Sequence, residues 1–81
     1  MKKVTVHAFA QLKDYFGEEV TLYIEEEEGI KDLINHLKMQ RPDSEELLAN
    51  CRLADKEEFI DTSHPLEDGA HIYFYPPSSG G

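Results

Sequence analysis

The spacing of apolar residues changes twice along this chain of 81 residues, and that change restricts the possible folds more than any other feature. Apolar and polar residues alternate in residues 2–8 and 19–24, which predicts two half-buried β-strands. The next apolar residues stand at i, i+3, i+4 and i+7, which predicts an amphipathic helix: Ile30, Leu33, Ile34 and Leu37. Alternation returns in residues 52–54, 58–60 and 70–75. We therefore expect an α+β fold in which one main helix packs across a small mixed sheet.

Several local signals mark where these elements begin and end. Residues 9–16 have near-helical apolar spacing and stop at Gly17, which predicts a short helical turn inside an antiparallel hairpin of the first two strands. Pro42 predicts the end of the main helix. Asp43 with Glu46 resembles a capping box that opens a second, shorter helix.

Length and composition predict one domain that folds on hydrophobic packing alone. The chain is 40% apolar, and its single cysteine, Cys51, excludes an internal disulfide and a multi-cysteine metal site. The four histidines lie far apart in sequence without metal-ligand spacing, so no metal site is expected. No apolar run approaches the roughly 20 residues of a membrane span, and no secretory signal follows Met1. We therefore expect a cytoplasmic protein without a membrane association.

The net charge of the chain limits the kinds of partner that it can bind. The chain carries 17 acidic and 8 basic residues, a net charge of −9, whereas nucleic-acid binders are basic. DNA and RNA are therefore not expected as partners. The acidity would speed the encounter with a basic protein surface, or it would only keep the chain soluble, and its sign does not choose between these roles.

The last six residues differ in character from everything before them: Pro76, Pro77, Ser78, Ser79, Gly80 and Gly81. Two prolines hold a chain extended and end strand pairing, and a Ser-Ser-Gly-Gly segment is small, uncharged and flexible. A terminal glycine leaves its carboxylate unhindered, which suits a terminus that enters the active site of another protein. We expect a folded domain over residues 1–75 and a functional tail over residues 76–81. The alternative is a frayed end.

Three further motifs, together with the tail, form a pattern that covers nearly the whole chain: Phe9-Ala10-Gln11-Leu12 with Phe16-Gly17, Glu57-Glu58-Phe59-Ile60, and His64-Pro65-Leu66-Glu67-Asp68-Gly69. The pattern resembles the small subunit of molybdopterin synthase, a sulfur carrier with the ubiquitin-like β-grasp fold. Gly-Gly alone is a weak signal, but the combination with the His-Pro-Leu turn is specific. Lys56 departs from the pattern, which has asparagine there.

The resemblance implies a chemistry at Gly81. An ATP-dependent activating enzyme would adenylate its carboxylate, and sulfur from a donor would then displace AMP to leave a thiocarboxylate. The large catalytic subunit of the synthase would receive the tail in a heterotetramer. There the sulfur would pass to cyclic pyranopterin monophosphate, building the dithiolene of molybdopterin. The chain itself would bind no cofactor and would supply no catalytic side chain.

The resemblance implies that the tail residues from Pro76 to Gly80 bind in the partner. Tyr73 and Tyr75 alternate with the apolar Ile72 and Phe74, so they lie on the other face of the last strand, where we expect them to anchor the partner beside the tail. If a helix covered that face of the sheet, the two tyrosines would be core residues instead. Cys51 lies between a helix and a strand without an obvious base, and we expect a buried, structural thiol rather than a sulfur carrier.

Other functions share the same tail and stay open at the sequence level. A carrier for thiamine thiazole synthesis has the same fold, although the second helix and the Pro76-Pro77 spacer argue against it. A ubiquitin-like modifier would be joined to target lysines through Gly81, starting from the same adenylate. An interaction module without terminal chemistry is the remaining alternative.

Overall fold

The computed structural model describes residues 1–77 of the chain. Five strands are present in this part: β1 (Lys2–Ala8), β2 (Glu19–Ile24), β3 (Arg52–Ala54), β4 (Phe59–Ile60) and β5 (Ala70–Tyr75). The α-helices are α1 (Lys13–Phe16), α2 (Ile30–Gln40) and α3 (Glu45–Ala49). Short 3-10 turns, Ala10–Leu12 and Pro42–Ser44, lead into α1 and α3. None of the helices formed by residues 1–77 is long and apolar enough to span a membrane.

The strands form one mixed sheet in the order β2-β1-β5-β3-β4. β1 and β2 pair antiparallel, which confirms the predicted hairpin. β1 also pairs with β5, and this pairing is parallel, so that the first and last strands lie side by side at the centre. β3 is antiparallel to both β5 and β4. The predicted mixed sheet is confirmed, and the end of β5 leads directly into the tail.

One face of the sheet packs against α2 and forms the core. Ile30, Leu33 and Leu37 are each no more than 1% exposed, as their spacing predicts. Ile34 is only half-buried and packs at the margin of the core, so the prediction that all four residues are buried is wrong at this position. The sheet contributes alternate side chains to the same core, among them Val4, Val6, Leu22, Ile24, Ile72 and Phe74.

The second helix begins differently from the prediction. Asp43 lies inside the 3-10 turn and α3 starts only at Glu45, with Ser44 at its N-terminal cap and no side-chain cap hydrogen bond. The Ser44 hydroxyl instead donates to the carbonyl of Arg41 at 2.6 Å. The predicted capping box of Asp43 and Glu46 is therefore absent, because the 3-10 turn Pro42–Ser44 moves the N-terminal cap by one residue, from Asp43 to Ser44.

The Leu-Glu-Asp-Gly stretch before β5 is explained by packing against β1. Leu66 is buried in the core, and its carbonyl accepts a hydrogen bond from the buried Lys2 ammonium at 2.9 Å. Asp68 accepts the backbone N–H of Lys3 at 2.7 Å, and the Gly69 N–H donates to the Lys3 carbonyl at 2.7 Å. Gly69 has φ +86°, a conformation that glycine adopts without strain. This part of the motif therefore positions β5 and the tail beside β1.

The β3–β4 turn tolerates Lys56 because Asp55 holds it together. The backbone N–H groups of Glu57 and Glu58 donate to Asp55 Oδ1 at 2.8 and 2.9 Å. These hydrogen bonds hold the pKa of the Asp55 carboxyl below its ordinary value. His64 Nε2 lies 3.4 Å from Asp55 Oδ2, so the turn is also tied to the loop before β5. The side chain at position 56 is exposed and makes none of these contacts.

Candidate docking face and tail

The second face of the sheet carries a row of rings that ends at the tail. We call this row, formed by His7, Phe9, Phe59, Tyr73 and Tyr75, the aromatic face. Its members come from β1, β4, β5 and the residue after β1, which the strand pairing brings together. Phe9 and Tyr75 are each 37% exposed and Phe59 is 59% exposed. Tyr75 therefore lies on an accessible surface, and Tyr73 beside it is half-buried. Both lie opposite the core, and the alternative that they are core residues is wrong.

The rings of the aromatic face hold one another in place. His7 stacks on Tyr73 with centroids 4.4 Å apart, and Phe9 stacks on Tyr75 at 4.6 Å. Phe59 approaches the edge of Tyr75 at 6.3 Å. Such pairs contribute about 0.5–1.5 kcal/mol each beyond their buried area. Because the rings are already ordered, a partner that binds them loses less side-chain entropy than it would on a mobile surface.

Phe9 reaches this surface through an unusual backbone turn. The sequence spacing predicts that Phe9 belongs to the helical turn with Leu12 and Phe16, but Phe9 is extended, with φ −128° and ψ 158°. Ala10 then has φ +52°, a left-handed conformation that is uncommon outside glycine. Leu12 is buried in the core, whereas Phe9 lies across Tyr75 on the opposite face. The helical turn is confirmed from Ala10 onward, and Phe9 is excluded from it.

Two histidines that are far apart in sequence meet at the end of the aromatic face. His7 Nε2 and His71 Nδ1 are 2.9 Å apart and share a hydrogen bond, because β1 and β5 are parallel neighbours. The sequence analysis missed this pair. Within residues 1–77, no group of three His, Cys, Asp or Glu side chains could hold a metal ion.

The tail leaves the sheet next to the aromatic face. Strand β5 ends at Tyr75, and Pro76 and Pro77 follow without regular secondary structure, as two prolines require. A depression that includes Pro77 is lined by three acidic residues, Asp14, Asp43 and Glu46. Acidic side chains therefore lie close to the base of the tail. The predicted residues Ser78, Ser79, Gly80 and Gly81 lie outside the described part of the chain.

Cys51 has the properties of a structural thiol. It is half-buried between α3 and β3, and its Sγ donates a hydrogen bond to the carbonyl of Leu47 at 3.3 Å. Burial raises the pKa of the Cys51 thiol to about 11, because the thiolate would lose hydration. A thiol with so high a pKa is a poor nucleophile at neutral pH.

We therefore expect Cys51 to react slowly with iodoacetamide at pH 7.5. A pKa of about 11 instead of 9.0 lowers the thiolate fraction at pH 7.5 by about 100-fold. The rate should keep rising with pH beyond pH 9, where a free cysteine levels off. Mass spectrometry of the alkylated chain over pH 7–11, with free cysteine as the reference, measures the rate at pH 7.5 and its dependence on pH. A rate that matches free cysteine and levels off above about pH 9 would contradict the burial argument.

Comparison with solved structures identifies the fold. The chain is similar to a protein described as molybdopterin converting factor subunit 1 from Pyrococcus furiosus, with a TM-score of 0.84 and 23% identity over 96% of this chain and 100% of that one. It is also similar to the small archaeal modifier protein 1 of Haloferax volcanii, with a TM-score of 0.83 and 18% identity over 98% and 99%. The fold is therefore the ubiquitin-like β-grasp fold.

A third similarity is closer in sequence. A chain of the complex between subunits 1 and 2 of molybdopterin-converting factor from Helicobacter pylori is 28% identical, with a TM-score of 0.70 over 98% of this chain and 99% of that one. No curated protein sequence matches at a significant level. The model of the ThiS family matches residues 6–81, so the chain belongs to the ThiS family.

Proposed function

We propose that this chain is the sulfur carrier subunit of molybdopterin synthase and that Gly81 carries the sulfur. The supporting observation is the aromatic face, which runs along β5 to the base of the tail and gives a partner an ordered surface beside the reactive terminus. The family match extends through residue 81. The Helicobacter pylori relative is a component of a complex between the two subunits of molybdopterin-converting factor. Residues 1–75 then form the docking domain, and residues 76–81 form the delivery tail.

The proposed chemistry begins with activation of a poor electrophile. A carboxylate oxygen of Gly81 attacks the α-phosphorus of ATP on the activating enzyme, and pyrophosphate leaves. Hydrosulfide released by the sulfur donor then attacks the acyl carbon of the adenylate, AMP departs with the electron pair of the broken C–O bond, and loss of the S–H proton leaves a thiocarboxylate. The thiocarboxylate sulfur is nucleophilic at neutral pH, and in the large subunit it displaces an oxygen substituent of cyclic pyranopterin monophosphate to form a thioester between Gly81 and the pterin. Water then cleaves the acyl C–S bond, which leaves the sulfur on the pterin and regenerates the Gly81 carboxylate. Acid–base chemistry belongs to the large subunit, whereas this chain contributes the sulfur and the docking surface.

Two other functions begin with the same adenylate of Gly81: sulfur transfer for thiazole synthesis and conjugation to other proteins. The ThiS family model itself does not distinguish the molybdopterin pathway from thiazole synthesis. The fold neighbours include a small archaeal modifier protein, which makes conjugation through Gly81 the second candidate.

The experiment that separates these functions supplies one thiocarboxylated chain to three acceptors. The acceptors are the large subunit of molybdopterin synthase with cyclic pyranopterin monophosphate, thiazole synthase with its substrates, and a cell extract with ATP. We expect molybdopterin in the first reaction, no thiazole product in the second and no protein adducts in the third. Thiazole formation, or a ladder of adducts with no molybdopterin, would assign the chain to one of the other functions.

The docking role predicts a large effect at Tyr75. Tyr75→Ala should raise the Kd for the large subunit about 30-fold, because a central aromatic anchor contributes about 2 kcal/mol or more to binding. Tyr23→Ala is the matched control, since Tyr23 is an exposed tyrosine on the edge strand β2, outside the aromatic face. Calorimetric titration of both variants measures the difference. Equal Kd values for the two variants would contradict docking through the aromatic face.

The charge predicts the rate of docking. If the net charge of −9 steers the chain toward a basic partner, the association rate constant should fall about tenfold or more as salt rises from 0.02 to roughly 0.5 M. Stopped-flow measurements of association at several salt concentrations test this. A rate constant that does not change with ionic strength would leave the acidity as a solubility feature.

A further inference from the structure

Arg52 lies on the aromatic face at the place where the sheet meets the tail. It is the first residue of β3 and stands directly opposite Tyr75 in the antiparallel pairing with β5. Its guanidinium carbon lies 4.2 Å above the centroid of the Phe59 ring, on the neighbouring strand β4. The side chain is exposed. Arg52 is therefore a fixed positive charge beside the last folded residue before the tail.

The contact with Phe59 holds the guanidinium carbon of Arg52 over the ring and leaves N–H groups of the exposed side chain available to a partner. The planar set of N–H donors on a guanidinium matches the two oxygens of a carboxylate. The chain has 17 acidic residues, yet none of those within residues 1–77 lies within 4.0 Å of the Arg52 guanidinium nitrogens. The ion pairs of this part of the chain involve Met1, His36 and His64 instead.

We propose that Arg52 binds a carboxylate of the docking partner, an Asp or Glu side chain that lies within the partner surface facing the aromatic face. This inference rests on the proposed docking and adds a specificity contact to it. The acidic surface of the chain attracts a basic partner from many directions, so it does not fix one orientation. An ordered cation opposite one partner carboxylate fixes the orientation together with the aromatic face and the tail, because a partner that rotates about those two contacts leaves both charges unpaired. Arg52 thereby aligns the tail with the entrance that receives it.

Two substitutions separate charge from geometry. Arg52→Met keeps an unbranched apolar chain over Phe59 and removes the charge, and it should raise the Kd for the large subunit about 10-fold or more. Arg52→Lys keeps the charge but loses the planar fork, and it should recover only part of that loss. Lys56→Met is the matched control, since Lys56 is an exposed cation in the adjacent β3–β4 turn and should change the Kd less than about twofold. Thermal unfolding of each variant, within about 2 °C of the parent chain, excludes a structural loss.

The partner carboxylate is identified by double-mutant cycles. Each Asp and Glu on the surface of the large subunit is changed to Asn or Gln and tested with the parent chain and with Arg52→Met. One position should be strongly non-additive with Arg52, because its removal costs binding only when Arg52 is present. Additive effects at every position, or an unchanged Kd for Arg52→Met while the parent chain binds normally, would overturn this inference and leave the proposed function intact. Failure of the parent chain to bind the large subunit would overturn both.

Discussion

A chain that lacks Gly81 is expected to fold normally and to transfer no sulfur. In the proposed function the reacting carbonyl is the last one of the chain, and removing one residue withdraws it by about 3.3–3.6 Å. A displacement of even about 1 Å can cost roughly 100-fold in rate, so the activating enzyme should not adenylate the shortened chain detectably. One alanine added after Gly81 should have the same effect, because the activated carbonyl then lies beyond the reaction site. Pyrophosphate release with purified activating enzyme measures this step.

The control for this prediction is the stability of the folded domain. The core is formed by residues from Val4 to Phe74, so the melting temperature should change by less than about 2 °C in both tail variants. Cys51→Ser should release pyrophosphate and transfer sulfur at the rate of the parent chain, provided that it folds. Normal sulfur transfer by the shortened or extended chain would show that Gly81 is not the carrier.

Leu33→Ala is expected to have the largest effect on stability. Leu33 has no exposed surface, and it lies at the centre of the helix face that packs on the sheet. Truncating a fully buried leucine costs about 2–5 kcal/mol, since the removed atoms leave a cavity that the core fills only in part. A small domain has a total stability of about 5–15 kcal/mol, so the variant should lose a large share of its free energy of unfolding.

The free energy of unfolding of Leu33→Ala, measured by urea denaturation, is compared with that of two other variants of the same helix. Met39 is 79% exposed, and Met39→Ala should change the free energy of unfolding by less than about 0.5 kcal/mol. Ile34 is half-buried, so Ile34→Ala should fall between the two. A Leu33→Ala loss no larger than that of Met39→Ala would contradict the packing of α2 against the sheet.

The strands and the main helix could be predicted because each buries one face, and the apolar residues of that face recur at a regular spacing in the sequence. At Ile34 the apolar spacing predicts more burial than the structure shows, since this side chain packs at the margin of the core. The parallel pairing of β1 with β5 could not be derived from the sequence, because alternation of apolar and polar residues identifies a strand but not the strand that it pairs with. The contact between His7 and His71 depends entirely on that pairing.

The candidate site was predicted in part for the same reason. Alternation along β5 placed Tyr73 and Tyr75 opposite the core, and the structure confirms this. Phe9 was missed because helical spacing grouped it with Leu12, whereas the left-handed backbone at Ala10 turns it onto the sheet. No residue type marks such a turn in advance when the residue is alanine.

The account is tested most directly by locating the sulfur after activation. The chain is incubated with the activating enzyme, ATP and a sulfide donor, and its C-terminal peptide is then sequenced by tandem mass spectrometry. We predict that one oxygen is replaced by one sulfur, that the replacement is on Gly81, and that Cys51→Ser gives the same spectrum. An unmodified Gly81, or sulfur found on Cys51 alone, would contradict the central claim that the C-terminal carboxylate is the sulfur carrier.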